Sequence, residues 1–194
     1  MNEVKETASY CDAHPAQDIS YIGEITNVRV FLCNTVAANG TTATKFLAAN
    51  ASALKLFASV LLDCADVFAL KRNTIHIYYD DAGSTIAFNK DKALFFNYRY
   101  FDNLHLPAAQ QGNKADAVVY WCVVMAHELA HNLVSDHSAQ HSYYTESLVI
   151  QYFPRIASKI VGQHSSTSAP PAPQLLADPL RLRQQREERL LDID

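Results

Sequence analysis

The stretch from Asn113 to Val134 constrains the fold most, because it is apolar almost all the way around a helix. One face has apolar residues at three- and four-residue steps, and the neighbouring faces are apolar as well: Val118, Cys122, Met125, Leu129, Leu133, Val119, Val123 and Ala130. A helix with so much apolar surface is normally buried in the middle of its domain. With Asn113 as its N-cap, the sequence predicts a central helix that runs to about Val134.

Four of the eight histidines lie at the end of this helix and just after it: His127, His131, His137 and His141. Helical positions four apart lie one above the other, so His127 and His131 can offer ring nitrogens to one metal ion. Unpaired imidazoles are costly on an apolar, central helix, which favours a metal site over ordinary packing roles. The sequence therefore predicts one zinc ion (Zn²⁺) per chain.

Glu128 and His137 have the spacing that a catalytic zinc site needs. The carboxylate of Glu128 lies one step around the helix from His127, where it can act as general base on a water bound at the metal. His137 follows His131 by six residues, and a chain reversal near Val134 would return it to the metal as a third ligand. Three protein ligands and one water form an open, catalytic shell, which a fourth protein ligand would close.

Two other residues are alternatives for the third ligand. Glu146 lies fifteen residues after His131 on the next predicted helix, and His141 could assist at the site or merely pack. The polar, turn-forming run from Ser135 to Ser138 favours His137, because it suits a sharp reversal. We therefore expect His137 to be the ligand and Glu146 or His141 to orient a ligand or the substrate.

The rest of the chain predicts an α+β domain from residue 21 to residue 162. The expected elements are a strand at 28–32, a helix from Asn50 or Ser52 to Phe68, a three-stranded antiparallel meander at 74–79, 85–88 and 93–98, a loop at 107–113, and a long helix at 138–161 that Pro154 kinks or breaks. Residues 1–20 lack periodicity and are expected to be flexible. Residues 163–194 are rich in proline, serine and alanine before a charged end, which predicts a disordered tail.

Composition excludes several classes of protein. A formal net charge of −4 with 19% charged residues does not resemble the basic footprint of nucleic-acid binding. The four cysteines lie far apart, which argues against a cysteine zinc site or a disulfide framework and indicates reduced thiols, with Cys64 and Cys122 on apolar helix faces. The N-terminus lacks a secretory signal, and the longest apolar stretch, at 118–126, is too short to cross a bilayer. We expect a soluble intracellular protein, cytoplasmic or nuclear, without a membrane partner.

The stretch HELAHNLVSDHSAQHSYYTES resembles the active-site helix of zincin metallopeptidases. Its histidine spacing is similar to that of the WLM and SprT proteases of DNA repair, and to that of the metzincins. The resemblance implies His127, His131 and His137 as ligands and Glu128 as the base; a glutamate ligand such as Glu146 would instead be similar to the gluzincins. Val134 stands where metzincins have glycine, and no methionine follows Met125, so a Met-turn is excluded.

A broader similarity covers about residues 46 to 153. The phrases LKLFASVLLDCADVFAL, IHIYYDDAGSTIAFN and ALFFNYRYF resemble the C-terminal region of large fungal proteins. Those proteins have a GHKL-type ATPase region near their N-terminus, as sacsin does. The similarity implies a metallopeptidase-like domain and, in a larger relative, a GHKL-type ATPase region as partner.

Together these features predict a minimal zincin-like core: a packing helix, a small antiparallel sheet, the metal helix and a long C-terminal helix. In such a core an edge strand above the metal helix aligns an extended peptide, and the strand at 93–98 or at 85–88 is the candidate. The expected function is zinc-dependent hydrolysis of a protein or peptide substrate. The alternative is a catalytically inactive, zinc-stabilised interaction module of a chaperone-like assembly.

Overall fold

A mixed sheet of five strands and a set of six helices make up residues 18–161, the part of the chain that the computed structural model describes. The strands are β1 (Ile19–Ile25), β2 (Val28–Cys33), β3 (Ile75–Tyr79), β4 (Ala87–Lys90) and β5 (Ala93–Asn97). The helices are α1 (Asn34–Ala38), α2 (Ala43–Val67), α3 (Tyr98–Leu104), α4 (Leu106–Gln110), α5 (Ala115–Ala130) and α6 (Ala139–Val161). The predicted α+β class is confirmed.

The sheet differs from the predicted antiparallel meander. Its order is β1-β2-β3-β5-β4, in which β2, β3 and β5 are parallel while β1 and β4 are antiparallel edge strands. Strand β3 pairs directly with β5, and β4 lies beyond β5. Almost every residue of β3 and β5 is buried on both faces, which is typical of central parallel strands. The predicted antiparallel pairing of the strands at 85–88 and 93–98 is confirmed by β4 and β5. The predicted pairing of the strand at 74–79 with the next strand in sequence was wrong, because β3 pairs with β5 instead.

A polar crossover between β3 and β4 makes the parallel pairing possible. The side chain of Asp80 accepts hydrogen bonds from the backbone of Ala82 and Gly83, both at 3.0 Å. Arg99 donates to the carbonyls of Asp81 and Gly83 from the start of α3. These bonds hold the crossover in place while the chain passes over the end of β5 to reach the far edge.

Strand β1 was not predicted, and its start overlaps the segment that was expected to be flexible. It begins at Ile19, two residues before the predicted domain boundary at 21, and pairs with the predicted strand β2 from Ile19↔Cys33 to Ile25↔Val28. Its pairing shifts between Tyr21 and Gly23, and most of its side chains are partly exposed. Because this edge strand is irregular, its sequence lacks the regular alternation of apolar and polar residues that indicates a strand. The predictions for residues 1–17 and for the tail from 163 lie outside the described residues.

Helix α2 starts earlier than predicted. Thr42, not Asn50 or Ser52, is the N-cap, and its hydroxyl accepts from the amide of Lys45. Asn50 lies inside the helix, where its side chain donates to the carbonyl of Phe46 at 2.9 Å. By length and composition α2 could cross a membrane, but a buried core helix passes the same test, and the face of α2 around Leu54, Phe57 and Leu61 is fully buried.

Helix α5 is shorter and less completely covered than the predicted central helix. It begins after Lys114, although the side chain of Asn113 still accepts from the amide of Ala115. Trp121 and Met125 are fully buried, whereas Val119 and Val123 each remain 43% exposed. Helix α5 therefore packs against α2 and α6 and faces the sheet, and it keeps one open side.

The remaining differences concern prolines. The predicted loop at 107–113 contains α4, with Pro107 in the first turn, where proline is tolerated. Helix α6 is not broken at Pro154. Proline removes the hydrogen bond to the carbonyl of Ile150, but Ile150 is 73% exposed, so water can satisfy that group.

Candidate metal centre

The end of α5 and the start of α6 meet around the histidine cluster. Helix α5 ends with His131 as its C-cap, and the amides of Asn132 and Leu133 then close tight turns onto Leu129 and Ala130. Residues 131–138 form no regular helix or strand. The hydroxyl of Ser138 accepts from the amide of His141 and caps α6. This short connection sets the two helix ends side by side.

Four imidazoles converge at that point. His127, His131, His137 and His141 each offer a nitrogen, and the four ligand atoms all lie within 4.8 Å of one another. The Nε2 atoms of His127 and His137 are 3.2 Å apart. Two nitrogens on a tetrahedral zinc ion, each bonded at about 2.05 Å, are about 3.3 Å apart. The nitrogens of His127 and His137 therefore have the spacing of two zinc ligands, and the four residues together could hold a metal ion.

Neighbouring groups orient two of the rings. The Nδ1 atom of His131 lies 3.3 Å from the carbonyl oxygen of Val134. The ring of His141 packs against the rings of His127 and His131, with centroids 4.4 and 4.1 Å away, and its Nε2 atom is buried without a hydrogen-bond partner. A ring held in this way directs the lone pair of its other nitrogen, as in metal-bound histidines. The buried Nε2 of His141 is a polar atom that a metal ion would satisfy.

Burial lowers the pKa of His127, His131 and His141 and so favours the neutral form that binds metals. Desolvation, reinforced by the nearby histidines 141, 131 and 137, lowers the pKa of His127 to about 4. Burial is also the main cause that lowers the pKa of His131 and of His141, with neighbouring imidazoles adding to it. At neutral pH these rings need not lose a proton before they bind an ion.

The structure brings together all three predicted ligands, His127, His131 and His137, and adds His141 to them. Glu146, the alternative third ligand, is exposed on α6 and is not part of the cluster. The signal for His141 was its spacing of four residues from His137, the same spacing that singled out His127 and His131. That signal was ambiguous because only the exact start of α6 decides whether His141 turns inward.

Glu128 lies one step around α5 from His127. It is fully buried and shares a helix face with Trp121 and Met125, and Trp121 packs edge-on against Phe96 of β5. Burial chiefly, together with charges that include Glu128, raises the pKa of Tyr78 in the neighbouring strand β3. The carboxylate therefore lies between α5 and the sheet, screened from bulk water.

Asn89 connects the edge strand β4 to the end of α5. Its side-chain amide donates to the carbonyl of Glu128 at 2.8 Å and to the side chain of Asn132 at 3.0 Å. Its own side-chain oxygen accepts from the amide of Lys92 at 3.2 Å. Asn89 thus fixes the position of β4 beside the helix turn that contains Glu128 and the metal-ligating candidates.

The arrangement combines nitrogen donors for a metal with one buried carboxylate in the same helix turn. Imidazole nitrogens suit zinc, copper, iron and nickel among the biological metals. Comparisons with protein-family models, with curated proteins and with solved structures find no match to this chain.

Proposed function

We propose that this chain is a zinc-dependent peptide hydrolase with Glu128 as its general base. The observation that carries the proposal is the convergence of four imidazole nitrogens within 4.8 Å at the turn of α5 that also contains Glu128. A site that only holds the fold together has no need of a carboxylate next to its first ligand. The resemblance of this helix to zincin active sites points to the same chemistry.

In this proposal the imidazoles hold the metal and Glu128 moves the proton. When bound, zinc supplies a Lewis acid that polarises a peptide carbonyl and lowers the pKa of water towards neutrality. Glu128 takes a proton from the attacking water and passes it to the leaving amine. Its burial between α5 and the sheet keeps bulk water from competing for the carboxylate.

Strand β4 is the candidate guide for the substrate. It pairs only with β5 among the described strands, so its other edge can accept the backbone of an extended peptide. The hydrogen bonds of Asn89 hold β4 beside the turn of α5 that contains Glu128, which supports this role. Of the two predicted edge candidates, the proposal therefore selects the one at 85–88, since β5 is an interior strand. An antiparallel edge strand beside the metal helix also fits the zincin-like core that the sequence predicts.

A second candidate is a zinc-stabilised interaction module without hydrolytic activity. The specific observation in its favour is His141, because four imidazoles would fill a tetrahedral shell and leave no position for water. Both candidates bind zinc, and they differ in whether Glu128 acts as a catalytic base.

The distinguishing experiment compares wild type with Glu128→Gln, after metal analysis of the purified protein. We expect one zinc per chain in both, similar melting temperatures, and cleavage of an unfolded protein such as reduced casein by wild type only. Glu146→Gln is the matched control, because it removes an exposed carboxylate outside the cluster and should leave cleavage unchanged.

Equal cleavage by wild type and Glu128→Gln would show that Glu128 is not the base. Zinc-loaded wild type without activity on unfolded proteins or peptides would favour the interaction module. Protein that binds no zinc would exclude both candidates.

A further inference from the structure

We infer that His127, His131 and His141 form the permanent ligand set, and that His137 is the ligand that gives way to water or substrate. The inference rests on the proposed metal centre and specifies how its shell opens. It also reverses the ranking that the sequence favoured, in which His137 was the third ligand and His141 a supporting residue.

His141 is the better anchored of the two. It is 2% exposed in the first turn of α6. Its ring packs against the rings of His127 and His131, with centroids 4.4 and 4.1 Å away. Its Nε2 atom is buried and has no hydrogen-bond partner in the protein. A buried nitrogen of this kind is costly unless it is satisfied, and a metal ion in the cluster satisfies it.

His137 is the ligand that can most easily leave its coordination position. It is exposed and lies in the connector between α5 and α6, which forms no regular helix or strand. Its Nε2 atom is 3.2 Å from that of His127, so it is close enough to complete the shell. An incoming oxygen ligand can replace it from the solvent side without moving any buried side chain.

The exchange provides a resting state and an open state. With all four imidazoles bound, the shell is closed and water is excluded. When His137 Nε2 leaves its coordination position, the oxygen of a water or of a peptide carbonyl takes it, with no change in the oxidation state of the metal. Three anchored nitrogens and one exchangeable position make an open shell, so the same site accommodates both a stable and a reactive form.

The test measures metal affinity and coordination, so it does not depend on activity. Zinc affinity is determined by chelator competition for wild type, His137→Ala, His141→Ala and the exposed neighbour control Gln140→Ala. We expect His141→Ala to weaken binding by more than about a hundredfold and His137→Ala by about tenfold, with the control unchanged. X-ray absorption of the zinc-loaded full chain should show four nitrogens in wild type and three nitrogens plus one oxygen in His137→Ala.

His141→Gln guards against misfolding, because it keeps a polar side chain of similar reach, and circular dichroism should show native helix content. A larger loss of zinc affinity in His137→Ala than in the His141 variants would overturn the inference. So would X-ray absorption that shows three nitrogen ligands in wild type and the same three in His141→Gln, because His141 would then not be a ligand. The expected order of affinities in a zinc protein that cleaves nothing would support the ligand assignment while contradicting the hydrolase proposal.

Discussion

Removal of the metal should lower the melting temperature by an amount that can be worked out in advance. The four imidazoles come together only where α5 and α6 are folded, so zinc should bind the native state in preference to the fully unfolded chain. At a free zinc concentration one hundred times the dissociation constant, such binding stabilises the fold by about 2.7 kcal/mol. For a folded unit of about 140 residues the entropy of unfolding is about 0.3 kcal/mol/K, so the melting temperature should rise by about 9 °C.

The assay is thermal unfolding followed by circular dichroism, on protein treated with a chelator and then titrated with zinc. His127→Ala removes a ligand and should abolish most of the shift. His105→Ala is the matched control, since His105 lies against Tyr120 and Trp121, outside the cluster, and its loss should lower stability without changing the response to zinc.

Two results would refute the reasoning. One is a shift of less than about 2 °C at saturating zinc, which would mean that the cluster does not bind the ion in the native state. The other is an equal shift in wild type and in His127→Ala, which would place the bound zinc elsewhere on the chain.

Three further predictions concern the metal-free protein. Burial lowers the pKa of His127 to about 4, so the unfolded state binds more protons than the native state between about pH 6.5 and 4. The urea midpoint should therefore fall as the pH falls through that window, and it should stay level above it. Asn89→Ala should destabilise the fold by about 1–3 kcal/mol in urea unfolding, because it removes one hydrogen bond from β4 to α5 and one to Asn132 just after α5. No change would mean that β4 is held by its strand pairing alone. Cys64 and Cys122 are fully buried, and burial raises the pKa of Cys64. A thiol reagent should therefore modify both cysteines only after unfolding. Rapid modification of the native protein would contradict this packing.

Local periodicity predicted the part of the site that lies on one helix. His127 and His131 come together because a helix stacks positions four apart, and this holds wherever the helix begins or ends. The position of Cys64 and Cys122 on buried helix faces was predicted from the same periodicity and is confirmed. Features fixed within one or two turns can be read directly from their spacing.

Features that depend on partners distant in sequence were not predicted. The parallel pairing of β3 with β5 depends on a crossover held by Asp80, which the sequence presents only as a turn. The inward orientation of His141 depends on where Ser138 caps α6. The burial of Glu128 depends on the sheet packed against α5. In each case the local sequence was compatible with more than one structure, and contacts with distant residues determined which one formed.

The short connection between α5 and α6 has a consequence for how the metal site assembles. All four imidazoles come from residues 127–141, so the loop that must close to bring them together is small, and the entropy lost in closing a loop grows with its length. The buried position of Glu128 and the tether of Asn89 instead require contacts with strands some forty residues earlier in the chain. We therefore expect capture of the ion to need only the helical hairpin, whereas placement of the proton acceptor needs the complete sheet. If the proposed function holds, partial unfolding from the β4 edge should produce a chain that still binds zinc but no longer cleaves peptides.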